Sequence, residues 1–136
     1  GDHKGDIATA VSAEVFKGTK AKIDGSLAAG YGTILFFEDK AVIEQLQDSF
    51  PTYHDKFPIW AQQTSAMTIS HLDHAGRCRP GASLQHYNPL IDDTVCAEWK
   101  LDPKWELIAQ MPFGTPTEEP GPKEIKPLDK RVLVFK

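Results

Sequence analysis

"RPGASLQHYNPLIDD", residues 79–93, decides how the rest of the chain is read. Small residues at Gly81 and Ala82 lead into an amide, an imidazole and a phenol (Gln85, His86 and Tyr87), and the run closes at Asn88-Pro89. One reading is a short, half-exposed strand with polar residues on one face, as antiparallel sheets often contain. The other is the floor of a ligand site. There Gly81 and Ala82 let the backbone come close, while Gln85 and His86 face a ligand edge. Taken alone, the plain strand is the simpler of the two.

The stretches on either side predict a mixed architecture. Upstream, Ile7, Val11 and Val15 recur at four-residue spacing, which predicts an amphipathic helix over about residues 4–23, weakened by Gly18 and stopped near Gly25. Gly30 and Gly32 break the helical pattern. "TILFF", residues 33–37, is β-branched and aromatic, and reads as a buried strand. Asp39 is placed to cap a short helix bearing Val42, Ile43 and Leu46 on one face, and Pro51 ends it. "FPIW" sets Pro58 near the start of a longer helix with Ile59, Gln63, Met67 and Ile69 on its partly apolar face, ending near Gly76.

Downstream, "GASLQHY" reads as a short strand. "IDDTVCAEWK" reads as a helix capped by Asp92, with Val95 over Trp99. "WELIAQMPFG" reads as a strand that turns at Pro112 and Gly114. Residues 115–128 hold four prolines and predict an extended arm. The final "KRVLVFK" is a strong strand former that needs a neighbour, in this chain or another. Helices alternating with about four strands define an α+β class.

At 136 residues, the chain fits a single domain over 1–136 with one core. A net charge of −4 argues against a nucleic-acid partner, which requires a basic face. No apolar run approaches the roughly 20 residues that span a bilayer, so no membrane partner is expected. The opening residues have neither the basic end nor the apolar stretch of a signal peptide. Cys78 and Cys96 are too few for a disulfide scaffold and read as reduced thiols of a cytoplasmic protein.

Three further groups of residues carry chemistry. Lys130 and Arg131 can grip a phosphate, with the guanidinium as bidentate partner, or can simply guard a strand edge. His71, His74, Cys78, His86 and Cys96 form a loose set of nitrogen and sulfur ligands, but their spacing matches no zinc motif, so no metal is expected. Trp99 and Trp105 sit where core packing explains them, whereas Trp60, at a helix start, is the tryptophan placed to face a ligand.

"AGYGTILFFED", "FPIWAQQTSAM", "GASLQHYNPLID", "LIAQMPFG" and the closing "KRVLVFK" occur in that order. Together they resemble the nitroreductase superfamily, more narrowly the small FMN-dependent branch that includes the fatty-acid-repression proteins. The likeness runs from about residue 20 to the end. It implies a nitroreductase-like, mostly antiparallel sheet flanked by helices, a homodimer with FMN at the subunit interface, and a terminal strand exchanged between subunits. It also implies hydride transfer from NAD(P)H through FMN to nitroaromatic or quinone-like acceptors. By position, Ser83, Leu84, Gln85 and His86 would lie along the flavin ring. Arg131, with Lys130 second, would hold the phosphate, and Trp60 would stand at the interface side of the pocket. No side-chain acid or base is required, so no catalytic residue is nominated.

The chain departs from the family pattern in three places. It lacks the opening "RRS"-type motif and the Asn-containing segment after it, so the resemblance implies the later two-thirds of the family domain. The link to "GASLQHY" reads "TISHLDHAGRCRP" instead of a longer apolar helix, and an aromatic usual near the start is missing. A second function class follows from these departures: a catalytically inactive dimerisation or interaction module.

Overall fold

A computed structural model of the protein describes residues 13–74, 81–118, 121–129 and 131–135. The element order is α1 (Ala13–Lys22), a π-helical turn (Ile23–Leu27), β1 (Gly32–Asp39), α2 (Lys40–Ser49), a 3-10 turn (Pro51–Tyr53), α3 (Phe57–His74), α4 (Asp92–Trp99) and β2 (Trp105–Phe113). Ile7 and Val11 of the expected first helix lie outside the described residues, as do Cys78 and Lys130.

β1 and β2 pair antiparallel from Gly32–Phe113 to Asp39–Trp105. The register slips between Phe36 and Phe37, leaving Ile108 as the extra residue of a bulge. At the start of β1, Gly30 and Gly114 cross backbone on backbone, and Tyr31 N donates to Phe113 O at 2.8 Å. β1 passes directly into α2. The Asp39 carboxylate accepts from Ala41 N at 2.9 Å, as its position predicts, and satisfies one of the free amides of the first turn. Replacing Asp39 with alanine is expected to lower stability by about 1 kcal/mol. A shift in the urea midpoint with an unchanged slope would show this; an unchanged midpoint would mean the cap contributes nothing.

α3 turns Phe57, Ala61, Ser65, Ile69 and Leu72 inward at four- and three-residue steps. The expected apolar face is therefore divided: Ile69 is buried, but Ile59 and Met67 stand exposed on the other side. α2 likewise turns only Ile43 inward of its expected apolar set, with Val42 and Leu46 exposed.

Other expectations are corrected. Among the described residues there are two strands, not about four. "GASLQHY" makes isolated bridges at Ala82–Phe113 and Gln85–Gln110 rather than a strand. The cause lies in its neighbour. Ser83 N donates to Pro112 O at 3.0 Å, but Pro112 has no N–H to return, and the bulge at Ile108 disrupts the ladder beyond Gln85. β2 runs through Pro112 to Phe113 rather than turning at the proline. α4 begins after Ile91, and Asp92, expected as its cap, is instead its first residue and accepts from Asn88 Nδ2 at 2.9 Å. Trp99 is 60% exposed, not a core anchor, because the helix ends there and Lys100 turns left-handed (φ 50°). Trp105 is also exposed, with its ring tilted on Phe37 at 5.9 Å.

Among the described residues, the last segment forms no strand. Arg131 N and Val132 N both donate to Leu128 O in a turn, and Val132–Phe135 stand exposed. The core is correspondingly thin. Among the described residues, Ile69, Val95, Leu107, Ala109 and Met111 are the buried apolar side chains, and Gln110 is the buried polar one.

Candidate functional site

The segment 81–88 is held beside β2 without joining it as a strand. Gly81 O accepts from Gly114 N at 2.9 Å, Ser83 N donates to Pro112 O at 3.0 Å, and Gln85 and Gln110 form a mutual pair with N···O distances of 2.7 and 3.0 Å. Beyond it, side chains replace the backbone ladder. Tyr87 N donates to Gln110 Oε1 at 2.9 Å, and Gln110 Nε2 donates to Asn88 Oδ1 at 3.2 Å. Asn88 Nδ2 donates to Leu107 O at 2.7 Å. The Asn88-Pro89 peptide is cis, and α4 follows.

His86 Nδ1 lies 3.1 Å from Ile108 O, the carbonyl of the bulge residue. A carbonyl oxygen only accepts, so Nδ1 carries the proton, and in the neutral ring Nε2 keeps its lone pair. Because Ser83 and Gln85 point their amides at β2, the amides of Leu84 and His86 point the other way. Neither has a hydrogen-bond partner among the described residues.

The even-numbered side chains of the segment face one groove. Leu84 and His86 line it together with Ala61, Ser65 and Ile69 of α3 and Met111 of β2, around about 700 Å³. Three carboxylates, Glu38, Asp73 and Glu106, also reach its lining. Glu38 and Glu106 face each other across the strand pair, an arrangement that repels. The Ser65 hydroxyl donates to Glu38, and Lys40 Nζ lies 3.5 Å from Glu106, which offsets part of that repulsion.

The remaining expected site residues lie elsewhere. Ser83 is on the opposite face of the segment, at a second cavity of about 820 Å³ shared with Gly25–Leu27 and Pro112–Glu118. Its hydroxyl accepts from Gln85 Nε2 at 2.7 Å, so those two polar groups are engaged with each other. Arg131 donates from its guanidinium to Lys126 O at 2.6 Å and Pro127 O at 3.4 Å. Trp60 sits on the side of α3 away from the groove, in an aromatic cluster with Tyr53 (5.8 Å) and Phe57 (5.5 Å, edge-on). One protomer thus brings Leu84 and His86 to the groove, with Gln85 between them, and keeps Ser83, Arg131 and Trp60 apart from it. Among the described residues no three His, Cys, Asp or Glu side chains gather as a metal site.

Gln110 and Asn88 were not singled out by sequence reasoning. The available signal was a lone amide inside the apolar run "LIAQM", which must find partners once buried.

Helices packed on an antiparallel strand pair, with an open amide edge beside a groove, define an α+β protein. The comparisons with known proteins give that class its family. No family model matches the chain. Nitroreductase CinD from Lactococcus lactis, solved in complex with nicotinic acid, superposes with a TM-score of 0.77 at 41% identity, over 93% of this chain and 68% of CinD. The same protein with 4-nitrophenol gives a TM-score of 0.77 over 92% of this chain and 66% of that one. Among curated proteins of Saccharomyces cerevisiae, HBN1, which carries a provisional nitroreductase name, is 37% identical over 94 residues. The nitroreductase FRM2 is 33% identical over 94 residues. Each of these matches covers 68% of this chain, and the chain spans 48% of the length of each yeast relative. The chain belongs to the nitroreductase superfamily and has its α+β fold.

Proposed function

We propose that this chain is a flavin oxidoreductase that holds FMN along the Leu84–His86 edge and works as a homodimer. The observation that carries this reading is the pair of unengaged, outward-directed amides of Leu84 and His86 beside the groove. A flavin ring presents a carbonyl and imide edge that such fixed donors match. His86 Nε2 adds an acceptor at the same edge, with its tautomer held by Ile108 O. Ser83 and Gln85 brace the segment through their mutual bond. Arg131 retains N–H donors beyond its two arm contacts and is the proposed phosphate partner, with Lys130 beside it in sequence. When bound, FMN supplies hydride transfer from NAD(P)H to a nitroaromatic or quinone-like acceptor. The complexes of CinD with 4-nitrophenol and chloramphenicol support an acceptor of that class.

Exposed apolar side chains support a dimer: Ile59, Trp60 and Met67 on the outer face of α3, and Val132–Phe135 near the end of the chain. In the dimer, Trp60 is proposed to stand at the interface side of the pocket. A cytoplasmic, reducing setting suits Cys96, which is a free thiol. Among the described residues no helix is long and apolar enough to cross a membrane.

Flavin titration of the purified protein, followed by visible absorbance, tests the cofactor. The expected result is a yellow protein that oxidises NAD(P)H in the presence of a nitroaromatic. Arg131→Ala is expected to weaken FMN binding by roughly 10- to 100-fold through loss of charge-assisted bonds. A protein that stays colourless in excess FMN overturns the enzyme reading. Exposed apolar surface together with an arm-bound Arg131 then favours the second reading, a dimerising interaction module, which a molar mass of twice the chain without bound flavin would identify.

A further inference from the structure

We infer that Gln110 is a positioning residue, whose carboxamide sets the direction in which His86 presents its amide. The inference rests on the flavin reading for its purpose, but its geometry stands apart from it.

Gln110 is 4% exposed and is the buried polar residue among those described. Its four hydrogen-bonding groups all act on one short stretch. The backbone N–H and C=O bind Gln85, the side-chain oxygen binds Tyr87 N, and the side-chain nitrogen binds Asn88 Oδ1. The amide of His86 is flanked by these anchors, and that of Leu84 by the backbone bonds of Ser83 and Gln85. Pro112 and the Ile108 bulge remove the regular ladder that would otherwise fix the segment. The side chain of Gln110 therefore does what the next ladder bond would have done. Leu84 already lies between backbone anchors at Ser83 and Gln85, whereas past Gln85 the carboxamide of Gln110 supplies the anchor at Tyr87, and the two anchors at Gln85 and Tyr87 define which way His86 points.

The contacts also separate this role from plain core filling. Met111 and Ala109, its neighbours in β2, are buried with apolar side chains. A methionine at 110 would keep nearly the same volume and lose the hydrogen bonds alone.

The test compares wild type with Gln110→Met, and with Asn88→Ala as a second variant that releases the same clamp from its other end. Amide hydrogen exchange is measured on the flavin-free protein, and FMN affinity by titration. The expected result is exchange about tenfold or more faster at Tyr87, with a smaller rise at Gln85, unchanged exchange in β1, and FMN affinity weaker by about tenfold. Exchange that stays at the wild-type level at Tyr87 overturns the inference. Exchange that rises evenly through β1 and β2 also overturns it, because Gln110 would then be a packing residue. Local loosening with unaltered FMN affinity overturns its link to the cofactor. Local loosening in a protein whose wild type binds no flavin upholds the clamp and sinks the cofactor reading instead.

Discussion

Gly30→Ala is expected to destabilise the fold by about 2–3 kcal/mol and to lower Tm by roughly 6–12 °C. A Cβ at this position would lie 2.7 Å from Phe113 O and 3.4 Å from Phe113 C. Both atoms are backbone, so no side chain can swing aside. The carbonyl is also the acceptor of Tyr31 N at 2.8 Å, the bond next to the last pair of the strand ladder. Moving it away from a new methyl group would break that bond. On the other side, Gly114 is tight as well: its own Cβ would meet Gly30 Cα and Tyr31 N at 3.1 Å. Gly114 N in turn donates to Gly81 O at 2.9 Å, where the 81–88 segment begins. Strain at Gly30 therefore reaches the site as well as the sheet. Gly18→Ala is the control. It sits in α1 with nothing within 4 Å of a built Cβ, and should gain about 0.5–1 kcal/mol. Thermal and urea denaturation of both variants decides the matter; a Gly30→Ala protein melting at the wild-type temperature would show that the crossing is not tight.

The double substitution Leu133→Asp with Phe135→Asp is expected to weaken the proposed dimer by about 100-fold or more. Leu133 is 71% exposed and Phe135 is 89% exposed in the protomer, in a segment that reads as a strand and pairs with nothing there. An apolar strand former left open in water invites pairing with another chain. The arm before it, 115–128, has the prolines and the length to carry it to a second copy. Two carboxylates in that interface would be buried without partners, which opposes association strongly. Sedimentation equilibrium across protein concentration reads the result directly. If the variant associates as tightly as wild type, the terminal segment is not in the proposed interface.

Much of the fold was legible because its signals are local. "TILFF" became part of β1 since β-branched and aromatic residues suit a pleated surface, and Asp39 capped α2 because an oxygen in that position meets the first free amides. The orientation of α3 was not legible. Its apolar residues occur on more than one side, so spacing alone could not say that Ile69 turns in while Ile59 and Met67 turn out. The site divided in the same way. Leu84 and His86 reach the groove together because they lie two residues apart in an extended segment, a relation that sequence spacing carries. Arg131 and Trp60 are distant in sequence, and their placement depends on the arm and on α3.

By itself, the order of residues determined the positions of the helices and of β1 and β2, the α+β class and the family, because capping, turn chemistry and alternation act over a few neighbours. Tertiary structure alone decided that 81–88 would be a clamped edge rather than a strand. That outcome needs Pro112 without its N–H, a bulge at Ile108 and the buried amide of Gln110, all about 20 or more residues away and brought alongside only when β2 docks. The hydrogen-bonding capacity of a segment is set by the chain that lies against it, and no local pattern contains that information.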